Sequence, residues 1–238
     1  MKHHVQNNLQ YPETEPKLIN IRRLQSDLCS ENPAFSPNFA KIISMNLLFA
    51  SKNKHKLSEI RSLFEEAGLT TIDLQSVVDD SRIDDIPEDF ETIEENAAAK
   101  AEFIYNIYKT NVFADDTGLE IEALNGRPGV YSARYAGENC SFEDNVNKVL
   151  EELKGISNRK ATFRTLICLI IEGEKHFFEG RVEGEITEKR TGKKGFGYDP
   201  VFKPLSSDFT YADMPLSEKN QTSHRAMAVK KMVEFLLH

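Results

Sequence analysis

The stretch Asn46-Leu47-Leu48-Phe49-Ala50-Ser51-Lys52-Asn53-Lys54-His55-Lys56-Leu57 decides the fold, because its hydrophobic pattern changes halfway along. Asn46 to Ala50 reads as a strand. After Ser51-Lys52-Asn53, the residues Leu57, Ile60, Leu63 and Phe64 fall on one face of a helix, and Gly68 stands where a C-cap is expected. The chain therefore enters its ordered part through a β-loop-α unit. Further on, residues 70–78 read as a second strand and the acidic run Asp79 to Asp89 as an exposed loop. A helix is expected from Thr92 to Tyr108, carrying Ala97-Ala98-Ala99, and it leads into a short strand, Val112-Phe113-Ala114. That strand should end in the turn chemistry of Asp115-Asp116-Thr117-Gly118. A helix over Glu143–Leu153 follows. The alternating run Ala161 to Ile171 is then turned by Glu172-Gly173-Glu174 into Lys175–Thr187, a hairpin. Arg225 to Leu237, apolar at Met227, Val229, Met232, Val233 and Leu236, closes the chain as a helix. Early β-α alternation followed by a hairpin implies an α/β fold built on a mixed sheet.

Working outward, residues 1–44 are polar and hold four of the nine prolines, with no sustained period. They are expected to form a flexible, dispensable extension to a domain spanning residues 45–238. The 238 residues suffice for one large domain with a sizeable core. A formal net charge of -8 argues against a broad nucleic-acid surface or a polybasic membrane patch, so any basic site must be local. Cys29, Cys140 and Cys168 are far apart and show no metal-ligand spacing, which disfavours disulfides and zinc. The longest apolar run, Leu166 to Ile171, is far too short to cross a bilayer, and a cytoplasmic location is expected.

Five constellations carry chemistry. Ser51-Lys52-Asn53-Lys54-His55-Lys56 lies between a strand and a helix, where helix-start N–H groups and lysine charge suit a polyphosphate. An Asn or Ser N-cap followed by solvated lysines explains it equally well. Glu94-Glu95-Asn96 with Lys100 offers a carboxylate for a phosphate-bound Mg²⁺, although Thr92 and Glu95 also match a capping box. Asp115-Asp116 supplies a partner carboxylate, and adjacent strand residues point to opposite sides. Arg134, after the Gly126-Arg127-Pro128-Gly129 turn, is a secondary candidate for phosphate. Gly195-Phe196-Gly197-Tyr198-Asp199-Pro200, followed by Ser217 to Arg225, collects a stacking aromatic, a carboxylate and the donors Lys219, His224 and Arg225. That collection suits a purine.

With these motifs, the chain from Met45 onward resembles the inosine triphosphate pyrophosphatase family. The resemblance rests on Ser51-x-Asn53-x-x-Lys56, Glu94-Glu95-Asn96-Ala97 with Lys100, and Ala114-Asp115-Asp116-Thr117-Gly118-Leu119. It continues through Pro128 to Arg134, Gly195 to Pro200, Glu218-Lys219-Asn220 and Ser223-His224-Arg225. It implies a mixed α/β fold with two lobes around a central cleft, a homodimer, and Mg²⁺-dependent cleavage of non-standard purine nucleoside triphosphates to the monophosphate and pyrophosphate. It also implies Glu95 and Asp116 as metal ligands, with Asp116 or Asp115 activating water. Ser51, Lys52, Asn53, Lys54, His55, Lys56, Lys100 and Thr117 would hold the triphosphate. Phe196, Gly197, Tyr198, Asp199, Lys219, His224 and Arg225 would surround the base. Three rivals remain at this point: a related pyrophosphatase for other modified nucleotides, a nucleotide sensor without turnover, and a phosphohydrolase that removes only the terminal phosphate.

Overall fold

The computed structural model describes residues 45–69 and 71–237. The expected N-terminal extension lies outside the described residues. Strand β1 (Met45–Phe49) leads through Ser51-Lys52-Asn53 into α1 (Lys54–Glu66), as the opening stretch predicts. Strand β2 (Ile72–Ser76) and helix α2 (Ile93–Tyr108) follow, then β3 (Val112–Ile121) and a two-residue β4 (Pro128–Gly129). Helix α3 (Phe142–Glu152) precedes the long hairpin of β5 (Lys160–Ile171) and β6 (Glu174–Ile186). The chain ends with β7 (Phe202–Pro204), α4 (Leu216–Thr222) and α5 (His224–Leu237). The sheet runs β2-β1-β3-β5-β6-β7, with β4 on β3. β1 is parallel to both neighbours, whereas β5, β6 and β7 are antiparallel, so the sheet is mixed as expected.

Buried apolar side chains form three clusters. One, around Phe49, Phe113 and Met232, joins the sheet to α1 and α5. A second, around Ala97, Ile104 and Val112, joins the sheet to α2. The third, around Phe163, Tyr198, Phe202 and Tyr211, gathers the far ends of β3, β5 and β6 with α3. Gly180 sets how closely α5 approaches β6, since a Cβ there would lie 1.9 Å from the backbone oxygen of His224. Among the described residues, no helix is long and apolar enough to cross a membrane.

Two expectations are corrected. Strand β3 does not stop at Ala114: it runs ten residues, and Asp115, Asp116, Thr117 and Gly118 lie inside it. The reason is β5, which pairs with β3 without interruption from Val112↔Ile170 to Ile121↔Ala161 and satisfies the backbone through the polar segment. The acidic loop is also more than solvent-facing, because Ile83 and Ile86 are buried in the α2-side cluster and anchor it. The short elements β4, β7 and α4 carry too little periodicity for the sequence to announce them.

Candidate functional site

One cavity of about 300 Å³ gathers most of the sequence-predicted site residues. Its floor is the middle of β3. Consecutive strand residues point to opposite sides, and the two aspartates accordingly meet different surroundings. Asp115 is 1% exposed and takes Lys56 Nζ on Oδ1 at 3.2 Å and Arg225 Nε on Oδ2 at 3.1 Å. Burial pushes its carboxyl up, but Lys56, Arg225 and Lys100 overcome that and hold it below the usual range. Asp116 lines the cavity and accepts from Lys100 Nζ at 2.7 Å. Burial pushes the Asp116 carboxyl up, and Lys100 and Lys56 do not fully offset it. Lys100 is buried on α2 and also reaches Glu88 Oε1 at 2.9 Å. Glu88 comes from the acidic loop, is half-buried, and lines the same cavity.

A closed ion network forms one wall of the cavity: Lys56, Asp199, Lys219 and Arg225 line it, and Glu59 and Asp115 lie behind them. Glu59, on α1, is buried and accepts from Lys219 Nζ at 2.7 Å and from Arg225 Nη1. Lys219 also meets Asp199 Oδ2 at 2.6 Å. Arg225 therefore spends its guanidinium on Glu59, Asp115 and, at 3.3 Å, the Thr117 hydroxyl. Three carboxylates (Asp199, Glu59, Asp115) face three cations (Lys219, Arg225, Lys56), and the alternation removes the penalty of burying them singly.

The base-end motif is tightly folded. Gly195 and Gly197 both have positive φ (75° and 59°), and a Cβ on Gly195 would fall 2.1 Å from Asp199 Oδ2. That same oxygen accepts from Phe196 N–H at 2.9 Å. Tyr198 turns into the core and donates to the Ser132 carbonyl at 3.0 Å. His224 stacks on Phe163, with ring centroids 4.4 Å apart, and its Nδ1 is the buried side-chain polar atom left unpartnered among the described residues. Burial, then Arg225 and Lys219, depress its pKa well below the usual value, so the imidazole is neutral.

The loop between β1 and α1 departs from the simple anion-site picture. Asn53 is the N-cap, and its Oδ1 takes the N–H groups of His55 and Lys56 at 2.9 and 3.1 Å. Two helix-start donors are thus already engaged, and side chains must supply the charge. Lys56 does so from inside the cavity. Lys52 also lines it, but its Nζ is tied to the carbonyls of Val77 and Asp80 at 3.2 and 2.7 Å. The Lys54 side chain is not brought to the cavity: it is exposed and paired with Asp79. His55 does not line the cavity, but its ring stacks on Phe196, which does.

Ser51, Lys52, Asn53, Lys56, Lys100, Asp116, Thr117, Phe196, Gly197, Tyr198, Asp199, Lys219, His224 and Arg225 all line the one cavity. Glu95 does not. It is exposed, and its carboxylate accepts the Thr92 hydroxyl at 2.8 Å while Thr92 Oγ1 takes the Glu95 N–H. Thr92 caps the helix as the capping alternative expects, but the reciprocal half of the box is not formed, since the Glu95 carboxylate meets the Thr92 hydroxyl and not its N–H. Sequence reasoning missed Glu59 and Glu88. The only signal for Glu59 was a charge among buried helical positions, and Glu88 was hidden in an acidic run.

Fold and site together define an α/β protein whose cleft joins a lysine–carboxylate end to an aromatic, neutral-imidazole end. Residues 47–235 match the sequence model of the Ham1 family. A protein of Flavobacterium johnsoniae named dITP/XTP pyrophosphatase is 49% identical over 192 residues, covering 81% of this chain and 98% of the relative. A Porphyromonas gingivalis protein of the same name is 48% identical, covering 80% and 97%. A solved HAM1 protein from Coxiella burnetii aligns with a TM-score of 0.73 at 36% identity, covering 81% of this chain and 98% of that one. The chain belongs to the Ham1 family.

Proposed function

We propose that the protein hydrolyses non-standard purine nucleoside triphosphates (ITP, dITP and XTP) between the α- and β-phosphates, with Mg²⁺, releasing the monophosphate and pyrophosphate. The observation that carries this reading is the single cavity. It unites Asp116, Lys100 and Glu88 with Phe196 and an unpartnered His224 Nδ1. The relatives' shared name, dITP/XTP pyrophosphatase, supports the substrate class.

Among the described residues, no group of three or more His, Cys, Asp or Glu is arranged to hold a metal. A magnesium ion on a triphosphate needs only one or two protein carboxylates, and hard oxygen donors suit it. Asp116 and Glu88, which share Lys100, fit that requirement better than Glu95, whose carboxylate faces Thr92. When bound, Mg²⁺ neutralises phosphate charge and polarises the phosphoryl oxygens. Asp116 is the residue assigned to orient the attacking water and accept its proton, since it lines the cavity with a raised proton affinity. Asp115, saturated by Lys56 and Arg225, is assigned to hold those cations in place. Lys56 and Lys100 would oppose the phosphate charge, and Ser51, Asn53 and Thr117 would line its path. Phe196 offers a stacking face, and Lys219 and Asp199 support the loop that carries it.

For the base, a neutral His224 lines the cavity, and its buried Nδ1 has no hydrogen-bond partner. Leaving such a buried group unpaired costs about 1–3 kcal/mol, so a base that satisfies it gains roughly tenfold to hundredfold over one that does not. ATP and GTP should be poorer substrates than ITP, as the relatives' name implies. The same reading takes the protein as a cytoplasmic homodimer acting on free nucleotides, without nucleic-acid or membrane partners. It also takes residues 1–44 as dispensable, since the family match begins at residue 47.

The decisive experiment is chromatographic identification of products from ITP with and without Mg²⁺. IMP and pyrophosphate only with metal is the expected result. IDP and phosphate would refute the bond assignment, and tight ITP binding without IMP would make the protein a sensor.

A further inference from the structure

Phe196 has neighbours of two kinds. Lys219 Nζ lies 5.4 Å and Arg225 Cζ 5.7 Å from its ring centroid. Both cations are buried and locked into the ion network, Lys219 by Glu59 and Asp199 and Arg225 by Glu59 and Asp115. Neither can withdraw without exposing unpaired buried charge. The third neighbour differs: His55 lies nearly parallel to Phe196, at 15° and 5.2 Å between centroids. His55 is exposed, and its imidazole is held by ring contacts alone, with Phe196 and, edge-on at 5.9 Å, with Phe142. Phe142, the first residue of α3, meets the Phe196 ring at 5.8 Å and closes the edge of the pair. A planar ring entering between two others needs roughly 7–8 Å, two van der Waals contacts of about 3.5–4.0 Å each. A swing of about 2–3 Å by His55 provides it, at the loss only of ring contacts.

We propose that His55 is a base-binding residue: the purine enters between the His55 imidazole and the Phe196 ring, and His55 supplies the second stacking face. This rests on the reading of the cavity as a purine nucleoside triphosphate site. It reassigns His55 from the triphosphate, where the sequence motif places it, to the base. The main-chain geometry agrees, because the His55 N–H is already engaged by Asn53 Oδ1 and the ring lies against Phe196.

The test compares the full-length wild type with His55→Ala and His55→Phe, using ITP and inorganic tripolyphosphate, which has the anion but no base. Base–aromatic stacking is worth about 1–3 kcal/mol per base, equivalent to roughly 5- to 150-fold. His55→Ala should weaken ITP affinity and raise its KM within that range, leave inhibition by tripolyphosphate within about twofold of wild type, and be rescued by His55→Phe. Parallel weakening of ITP and tripolyphosphate would return His55 to the phosphate end. Unchanged ITP affinity in His55→Ala, or failure of His55→Phe to rescue, also overturns the proposal. If the wild type binds ITP but forms no IMP, the catalytic reading fails while the affinities still judge His55. If the wild type hydrolyses ITP and His55→Ala equals it, only this inference fails. Absence of ITP binding by the wild type ends both.

Discussion

Asp115 and Asp116 are neighbours on one strand, yet they belong to two regions built on opposite terms. Along one wall of the cavity, Asp115 joins Glu59, Asp199, Lys56, Lys219 and Arg225 in a network where every charge has a partner and little is exposed. At the cavity face, Asp116 and Glu88 share the single ammonium of Lys100 and border open space. The first arrangement fixes positions, because a balanced buried network has nothing to gain by moving. The second leaves carboxylate oxygens unsatisfied, which is what a catalytic or metal-holding group requires. A period-two strand lets adjacent residues serve both ends at once.

The comparison is broken most directly by neutralising each aspartate. Asp116→Asn should lower kcat for ITP about 10²–10⁴-fold, the range for losing a positioned general base, with little change in thermal midpoint. Asp115→Asn should instead lower stability, because it leaves Lys56 and Arg225 short of a counter-charge. Steady-state turnover and thermal melting of both variants decide it. Near-normal turnover in Asp116→Asn, or a normal midpoint in an inactive Asp115→Asn, would reverse the two roles.

Glu59→Ala tests the closed network from its centre. Removing one partner from a buried pair costs about 3–5 kcal/mol, and here two cations, Lys219 and Arg225, lose it together. Urea denaturation should show that loss. Glu88→Gln supplies the contrast: its side chain is 42% exposed, so stability should change by no more than about 1 kcal/mol. Its signature should be a weaker response to Mg²⁺ at unchanged fold. Equal stability losses in Glu59→Ala and Glu88→Gln would erase the distinction between the regions.

The same contrast explains what was legible in the sequence. The β1-loop-α1 unit, α2 and the β5–β6 hairpin were readable because their periods are long and their punctuation sharp. The extension of β3 through Asp115 to Ile121 was not, since it depends on pairing with β5, some fifty residues away. The motifs converged on one cavity because each is local and chemically dense. Their internal division of labour was hidden, because a carboxylate's role depends on which cation it faces. Glu95 looked like a metal ligand and faces Thr92, whereas Glu88 looked like part of a solvated run and faces Lys100.

The last expected effect is a pH dependence carried by His224, the neutral group beside the ion network. Its folded pKa lies well below the ordinary 6.5 because burial, then Arg225 and Lys219, oppose a charge there. Below pH 6.5 the unfolded chain therefore binds a proton that the folded protein refuses, and stability must fall as pH drops. With a full unit of pKa difference worth about 1.4 kcal/mol, the loss from pH 8 to pH 5 should reach about 2 kcal/mol. His224→Phe keeps a flat ring against Phe163 and removes the titration. Its stability, followed by urea denaturation across that range, should decline less than the wild type's by that amount. The window stops at pH 5 because ordinary carboxylates begin to protonate below it, and the depressed Asp115 and Glu59 would then add losses of the same sign. Coincident pH profiles for the two proteins would mean that the buried imidazole accepts a proton in the folded state, and that the network around it is less rigid than its ion pairs imply.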